Sequence, residues 1–167
     1  GGFLSAGRPA FWPWMLVFAA AAFAFWGARP LWEPDEGRYA EVAREMLAGG
    51  DWIVPHLHGQ PHLTKPPLTY WLTAAGLSVF GTNGWGARFF LALAFFGTIL
   101  ATVALARAWG LGRRESLAGG LIFATGGLPF VCGHVLTTDM FLTFWMTLGV
   151  VAAWEPVPVS GVENAAY

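Results

Sequence analysis

FFLALAFFGTILATVALA, residues 89–106, holds no charged residue and lies between Arg88 and Arg107. As a helix it is about 27 Å long, close to the hydrocarbon thickness of a bilayer. It reads as a membrane span. Working outward, further uncharged blocks occupy 9–28, 117–133 and 140–154, the last of them in an expected span 138–154 that opens beside Asp139. The first of these lacks the small-x-small pattern of a cleavable signal peptide. PPLTYWLTAAGLSVF, 66–80, is apolar but only about 22 Å long as a helix, short for a span. Leu68, Trp71, Leu72, Ala75 and Val79 share one of its faces, which predicts a helix lying in the membrane interface. The turn residues GTNGWG, 81–86, close it.

The expected fold is all-α. It is a polytopic membrane protein with about four transmembrane helices and amphipathic juxtamembrane helices in a long first outer loop, 29–88. Residues 1–154 make one transmembrane unit. Residues 155–167 are a polar tail, which together with the Gly1-Gly2 start reads as a piece of a longer protein. Of the 167 residues, 56% are hydrophobic and 11% charged, about half the charged share of a soluble domain. A net charge of −1 gives no basic patch, so no nucleic-acid partner is expected. One cysteine, Cys132, cannot build a disulfide framework. No P-loop, dinucleotide or serine-hydrolase motif is present.

Arg107, Arg113 and Arg114 cluster between the second and third spans, and Arg8 precedes the first. The positive-inside rule places both groups in the cytoplasm and loop 29–88 outside, with 134–139 on the same outer side. The expected location is the cell inner (plasma) membrane.

The outer loop begins WEPDEGRYAEVAREMLAGGDW, 32–52. Pro34 fixes the chain before Asp35-Glu36, and a helix follows. Tyr39, Val42, Ala43, Met46 and Leu47 share its apolar face; Arg38, Glu41, Arg44 and Glu45 share the other. Gly49-Gly50 ends it. Asp35 at the start has two readings. It is a helix cap, or a general base for a hydroxyl acceptor, with Glu36 beside it raising its pKa. Lys65, in HLTKPPL, either snorkels beside the interfacial helix or binds a lipid phosphate. Arg88, at the head of the second span, has the same two readings. Asp139, in TTDMFLTF, caps the fourth span or does chemistry, since acids between apolar blocks are costly. His56, His58 and His62 crowd HLHGQPHL. An H-x-H pair offers two metal ligands, and the paired carboxylates Asp35 and Asp139 are a further candidate set, so a divalent metal is a possible cofactor.

D-E-x-R-Y-A-E at 35–41, G-D-W-I-V-P-H at 50–56, K-P-P at 65–67, WGARFF at 85–90 and TTDMFLTFWMTL at 137–148 occur in fixed order. Together they resemble the aminoarabinose transferase (ArnT-like) branch of the GT-C membrane glycosyltransferases and, more distantly, the protein O-mannosyltransferases. The resemblance runs from about Leu31 to Trp154. It implies a polyprenyl-phosphate sugar donor and a lipid (lipid A-like) or protein acceptor outside the cytoplasmic membrane. It makes Asp35 the candidate base, with Glu36 shaping the site and Asp139 completing an acidic pocket. It gives Lys65 the lipid phosphate, with Arg38 and Arg88 on the phosphate side. The branch carries glutamate just before that lysine, where this sequence has Thr64. The alternatives are a non-catalytic four-span scaffold or partner subunit, and a metal-handling membrane protein using the histidines.

Overall fold

The computed structural model describes residues 11–154; the expected start of the first span at 9, Arg8 and the tail 155–167 lie outside the described residues. Among the described residues, seven helices and one small hairpin follow the chain in order. They are α1 (Phe11–Phe23), α2 (Asp35–Gly49), β1 (His56–Leu57), β2 (Gln60–Pro61), α3 (Pro67–Phe80), α4 (Gly84–Ala108), α5 (Arg113–Thr125), α6 (Gly127–His134) and α7 (Asp139–Ala153).

α4 is the axis of the molecule, and α1, α3, α5, α6 and α7 pack directly on it. Its 25 residues extend about 37 Å. It starts five residues before the apolar block that predicts it, because Asn83 caps it: the Asn83 side chain accepts the Gly86 N–H at 2.9 Å. Arg88 therefore sits inside a helix, buried, rather than at a span's exposed edge. Small residues let neighbours close on this axis. A Cβ placed on Gly76 of α3 would collide with the Gly86 carbonyl oxygen of α4.

Among the described residues, only α4 of the expected spans is long and apolar enough to cross a bilayer alone. α5 and α6 pass the same test together, but bent by 63°. The bend has a local cause: Pro129 has no N–H for the Thr125 carbonyl four residues back, and its ring crowds that carbonyl. α1 and α7 are shorter apolar helices. Among the described residues the structure thus holds one long apolar helix, one bent pair and two shorter helices where four spans are expected.

The segment 29–88 follows the sequence pattern more closely. α2 buries Tyr39, Val42, Ala43 and Met46, the predicted apolar face, against α3. It ends as Gly50 turns to a φ of 72° and its N–H reaches Met46 O at 3.0 Å. α3 begins one residue after the predicted start. It packs through Tyr70, Thr73, Ala74 and Leu77, leaving Trp71 and Val79 of the predicted lipid-side face exposed. Between α2 and α3, HLHGQP forms a hairpin with His56 opposite Pro61. Its turn residues His58 and Gly59 both have positive φ, 53° and 72°, as a tight hairpin turn of this hand requires.

Candidate functional site

The doublet that opens α2 splits in two directions, because successive helix positions do not face the same way. Glu36 points inward and is fully buried. Its Oε1 accepts Arg88 Nε at 2.8 Å and the Leu136 N–H at 2.8 Å. Its Oε2 accepts Arg88 Nη2 at 2.8 Å, Arg29 Nη1 at 2.5 Å and the Trp32 N–H at 2.9 Å. Burial alone would push this carboxyl's pKa up. Hydrogen bonds from Arg88, Arg29, Leu136 and Trp32 outweigh that and hold it down at about 2.

Arg88 spends its remaining donors on the carbonyls of Trp26 and Arg29, at 3.2 and 3.1 Å, and of Pro30, at 3.0 Å. Arg29 also donates to His134 O at 2.8 Å and covers the Trp32 ring at 4.3 Å. One carboxylate and two guanidiniums thereby tie four segments together: the end of the first apolar block, the start of α2, the start of α4 and the loop before α7. Glu36 and Arg88 are both buried and hold these segments together. Arg29, which sequence reading passes over, belongs to the same frame. Its only signal there is its place, one residue past the first apolar block.

Asp35 points outward. It is the first residue of α2, its side chain is 58% exposed, and it accepts Arg38 Nη2 at 2.5 Å. It makes no side-chain cap. Asp139 is also exposed at the first turn of α7 and accepts the Thr137 hydroxyl at 3.1 Å. The clamp on Leu136 and His134 holds the approach to α7 against the start of α2, so both acids stand at one end of the molecule.

Lys65 is exposed and lines a cavity of about 310 Å³ between the start of α3 and α7. Leu68, Phe141, Leu142 and Trp145 give it apolar walls, and Thr69 and Thr138 its polar edge. Thr138, the neighbour of Asp139 in the chain, lines this cavity together with Lys65. The histidines do not join these acids. Among the described residues, His58 instead converges with Glu41 and Glu45, and the His62 ring contacts the Thr64 hydroxyl at 2.8 Å.

The structure thus brings together an exposed acid–arginine pair, an exposed lysine lining an apolar cavity and a buried ionic cluster. Residues 13–158 match the family model described as dolichyl-phosphate-mannose-protein mannosyltransferase, and the chain belongs to that family. It is 40% identical over 138 residues to the undecaprenyl phosphate-alpha-4-amino-4-deoxy-L-arabinose arabinosyl transferase of Edwardsiella ictaluri, covering 83% of this chain and 25% of that protein. The enzyme of the same description from Pseudomonas aeruginosa is 40% identical over 125 residues, covering 75% and 23%. The crystal structure of ArnT from Cupriavidus metallidurans bound to undecaprenyl phosphate superposes with a TM-score of 0.74 at 34% identity, covering 85% of this chain and 27% of that one. The chain thus spans about a quarter of the length of these relatives.

Proposed function

We propose that this chain forms the N-terminal part of a membrane glycosyltransferase that moves a sugar from a polyprenyl-phosphate donor to a lipid or protein acceptor on the extracytoplasmic face. The observation that carries this reading is Lys65 at the mouth of the apolar cavity between α3 and α7. A lipid phosphate needs a cation for its headgroup and a dry wall for its chain, and this cavity offers both. The solved relative from Cupriavidus metallidurans, bound to undecaprenyl phosphate, supports the donor class.

In the proposed reaction Asp35 takes the acceptor's proton while the acceptor oxygen or nitrogen attacks the sugar carbon. The bond from that carbon to the phosphate oxygen breaks, and the polyprenyl phosphate leaves as an anion. Lys65, with Arg38 beside Asp35, holds the charge that accumulates on it. Asp139 completes the acidic side of the pocket, and the Glu36–Arg88 frame keeps the two exposed acids in place.

α1, α4, the bent pair α5–α6 and α7 are the four crossing elements of this proposal. Aromatic residues at both ends of α4 support it. Trp26 Nε1 bonds Trp85 O at 2.9 Å at one end, and Trp109 stacks edgewise on Trp154 at the other. Arg107, Arg113 and Arg114 lie at the second end, which supports a cytoplasmic side there and an α2–α3 unit outside the inner membrane.

The test is polyprenyl-phosphate binding to the purified chain in lipid nanodiscs. Lys65→Ala is expected to weaken binding by about tenfold. In membranes carrying the protein, Asp35→Asn is expected to abolish transfer with insertion intact. Unchanged donor affinity in Lys65→Ala removes the phosphate role, and unchanged transfer in Asp35→Asn removes the base.

A further inference from the structure

The outward face of α2 carries Glu41 and Glu45, four residues apart and therefore one above the other. The hairpin that follows the helix folds back onto them. Glu45 receives the backbone N–H groups of both turn residues, His58 at 2.6 Å and Gly59 at 3.1 Å. This delivers the His58 imidazole to the two carboxylates, and one ligating atom from each of the three lies within 4.8 Å of the others. We propose that Glu41, Glu45 and His58 bind a first-row divalent cation, with zinc as the preferred ion.

The donor set selects the ion class. Two carboxylate oxygens and one imidazole nitrogen suit zinc and its neighbours, whereas calcium and magnesium favour oxygen donors alone. Three protein ligands leave one tetrahedral position open. Two of the three ligands, Glu41 and His58, line a cavity of about 450 Å³ together with Glu33, Pro34, Gly37 and Arg38, so the cluster borders the exposed start of α2.

The hydrogen bonds already made by the carboxylates suit this role. Glu41 accepts Arg44 Nε at 2.8 Å and Nη2 at 2.7 Å. Each carboxylate oxygen has two lone-pair sites, so Glu41 and Glu45 keep positions for an ion while their outer partners fix their orientation. Arg44 also offsets part of the charge of two neighbouring acids. The site is independent of the sugar-transfer reading: none of its three ligands is the proposed base or phosphate group.

The experiment is zinc titration of the untagged full chain in detergent micelles, read by competition with a chromophoric chelator. His58→Asn is the central variant, because asparagine tolerates the positive φ of this turn and keeps the backbone bond to Glu45. A single site is expected, weakened about tenfold or more by His58→Asn and by Glu41→Gln and unchanged by His56→Asn on the same hairpin. Copper(II) bound to the unaltered chain is expected to give an electron paramagnetic resonance spectrum with coupling to imidazole nitrogen. Absence of stoichiometric zinc binding, equal affinity in His58→Asn, equal loss in His56→Asn, or a copper spectrum without nitrogen coupling each overturns the proposal.

Discussion

Replacing Glu36 by glutamine removes one charge and almost no volume, at the most connected side chain in the molecule. The carboxyl's ordinary pKa of 4.5 falls to about 2 in the folded chain. That difference corresponds to about 3 kcal/mol of stability at neutral pH. The amide keeps one acceptor oxygen, while its NH2 turns two donors toward the donors of Arg88, Arg29, Trp32 or Leu136. Arg88, 2% exposed, is left charged without a counter-ion, for which the cost is about 3–5 kcal/mol. For a chain of this size, the melting temperature is expected to fall by roughly 6–20 °C. Tryptophan fluorescence during heating of the micelle-solubilised chain reads this directly. The pH dependence follows with its sign. A carboxyl whose pKa is lowered on folding stabilises the fold above its unfolded value, and the contribution is lost as pH falls from 4.5 toward about 2. Glu36→Gln is expected to flatten that acid limb. A variant that melts within about 2 °C of the unaltered chain, with the acid limb unchanged, refutes the idea that this ion cluster frames the site.

Arg88→Lys keeps the charge but cannot span both Glu36 oxygens and three carbonyls. It is expected to cost about 2 kcal/mol in the same melting assay, and equal stability would contradict the role of the planar fork. Gly76→Val places a methyl-bearing Cβ against the Gly86 carbonyl and is expected to destabilise by at least about 1–3 kcal/mol, visible as earlier urea unfolding. Gly50→Ala forces a side chain into the positive φ that ends α2. A loss of about 1 kcal/mol is expected there, with native helix content by circular dichroism.

How far the sequence speaks depends on whether the information is local. α2 and α3 were legible because their signals are local: a 3.6-residue apolar period ending at Gly49-Gly50, and a proline pair followed by an apolar run that stops at Gly81. The family was legible for a related reason, since its motifs are short runs in fixed order along the chain, most of them between 29 and 90. The frame was not legible, because Glu36 draws its partners from positions 29, 32, 88 and 136. Adjacency made Asp35 and Glu36 look like one acidic unit, although neighbouring helix positions diverge. Arg88 looked like the rim of a span because the apolar count begins at Phe89, while the helix begins at the Asn83 cap. The hairpin escaped notice because its turn is His-Gly rather than Asn-Gly, and with it went the meeting of His58 with Glu41 and Glu45.

The Glu36 cluster also sets an order of assembly. As the chain leaves the ribosome, Arg29 emerges first and Glu36 follows 7 residues later. Arg88 comes 52 residues after Glu36, and the Leu136 amide 100 residues after it. Until α4 is made, the acid has one arginine and local backbone for company and is best kept in water. The arrival of Arg88 lets it leave water, and the arrival of the segment before α7 closes the last of its bonds. The segment 29–88 thus completes its bonds to Glu36 only when α4 and the segment before α7 have both been made, so a premature stop within α5 or α6 would leave Glu36 without its Leu136 partner.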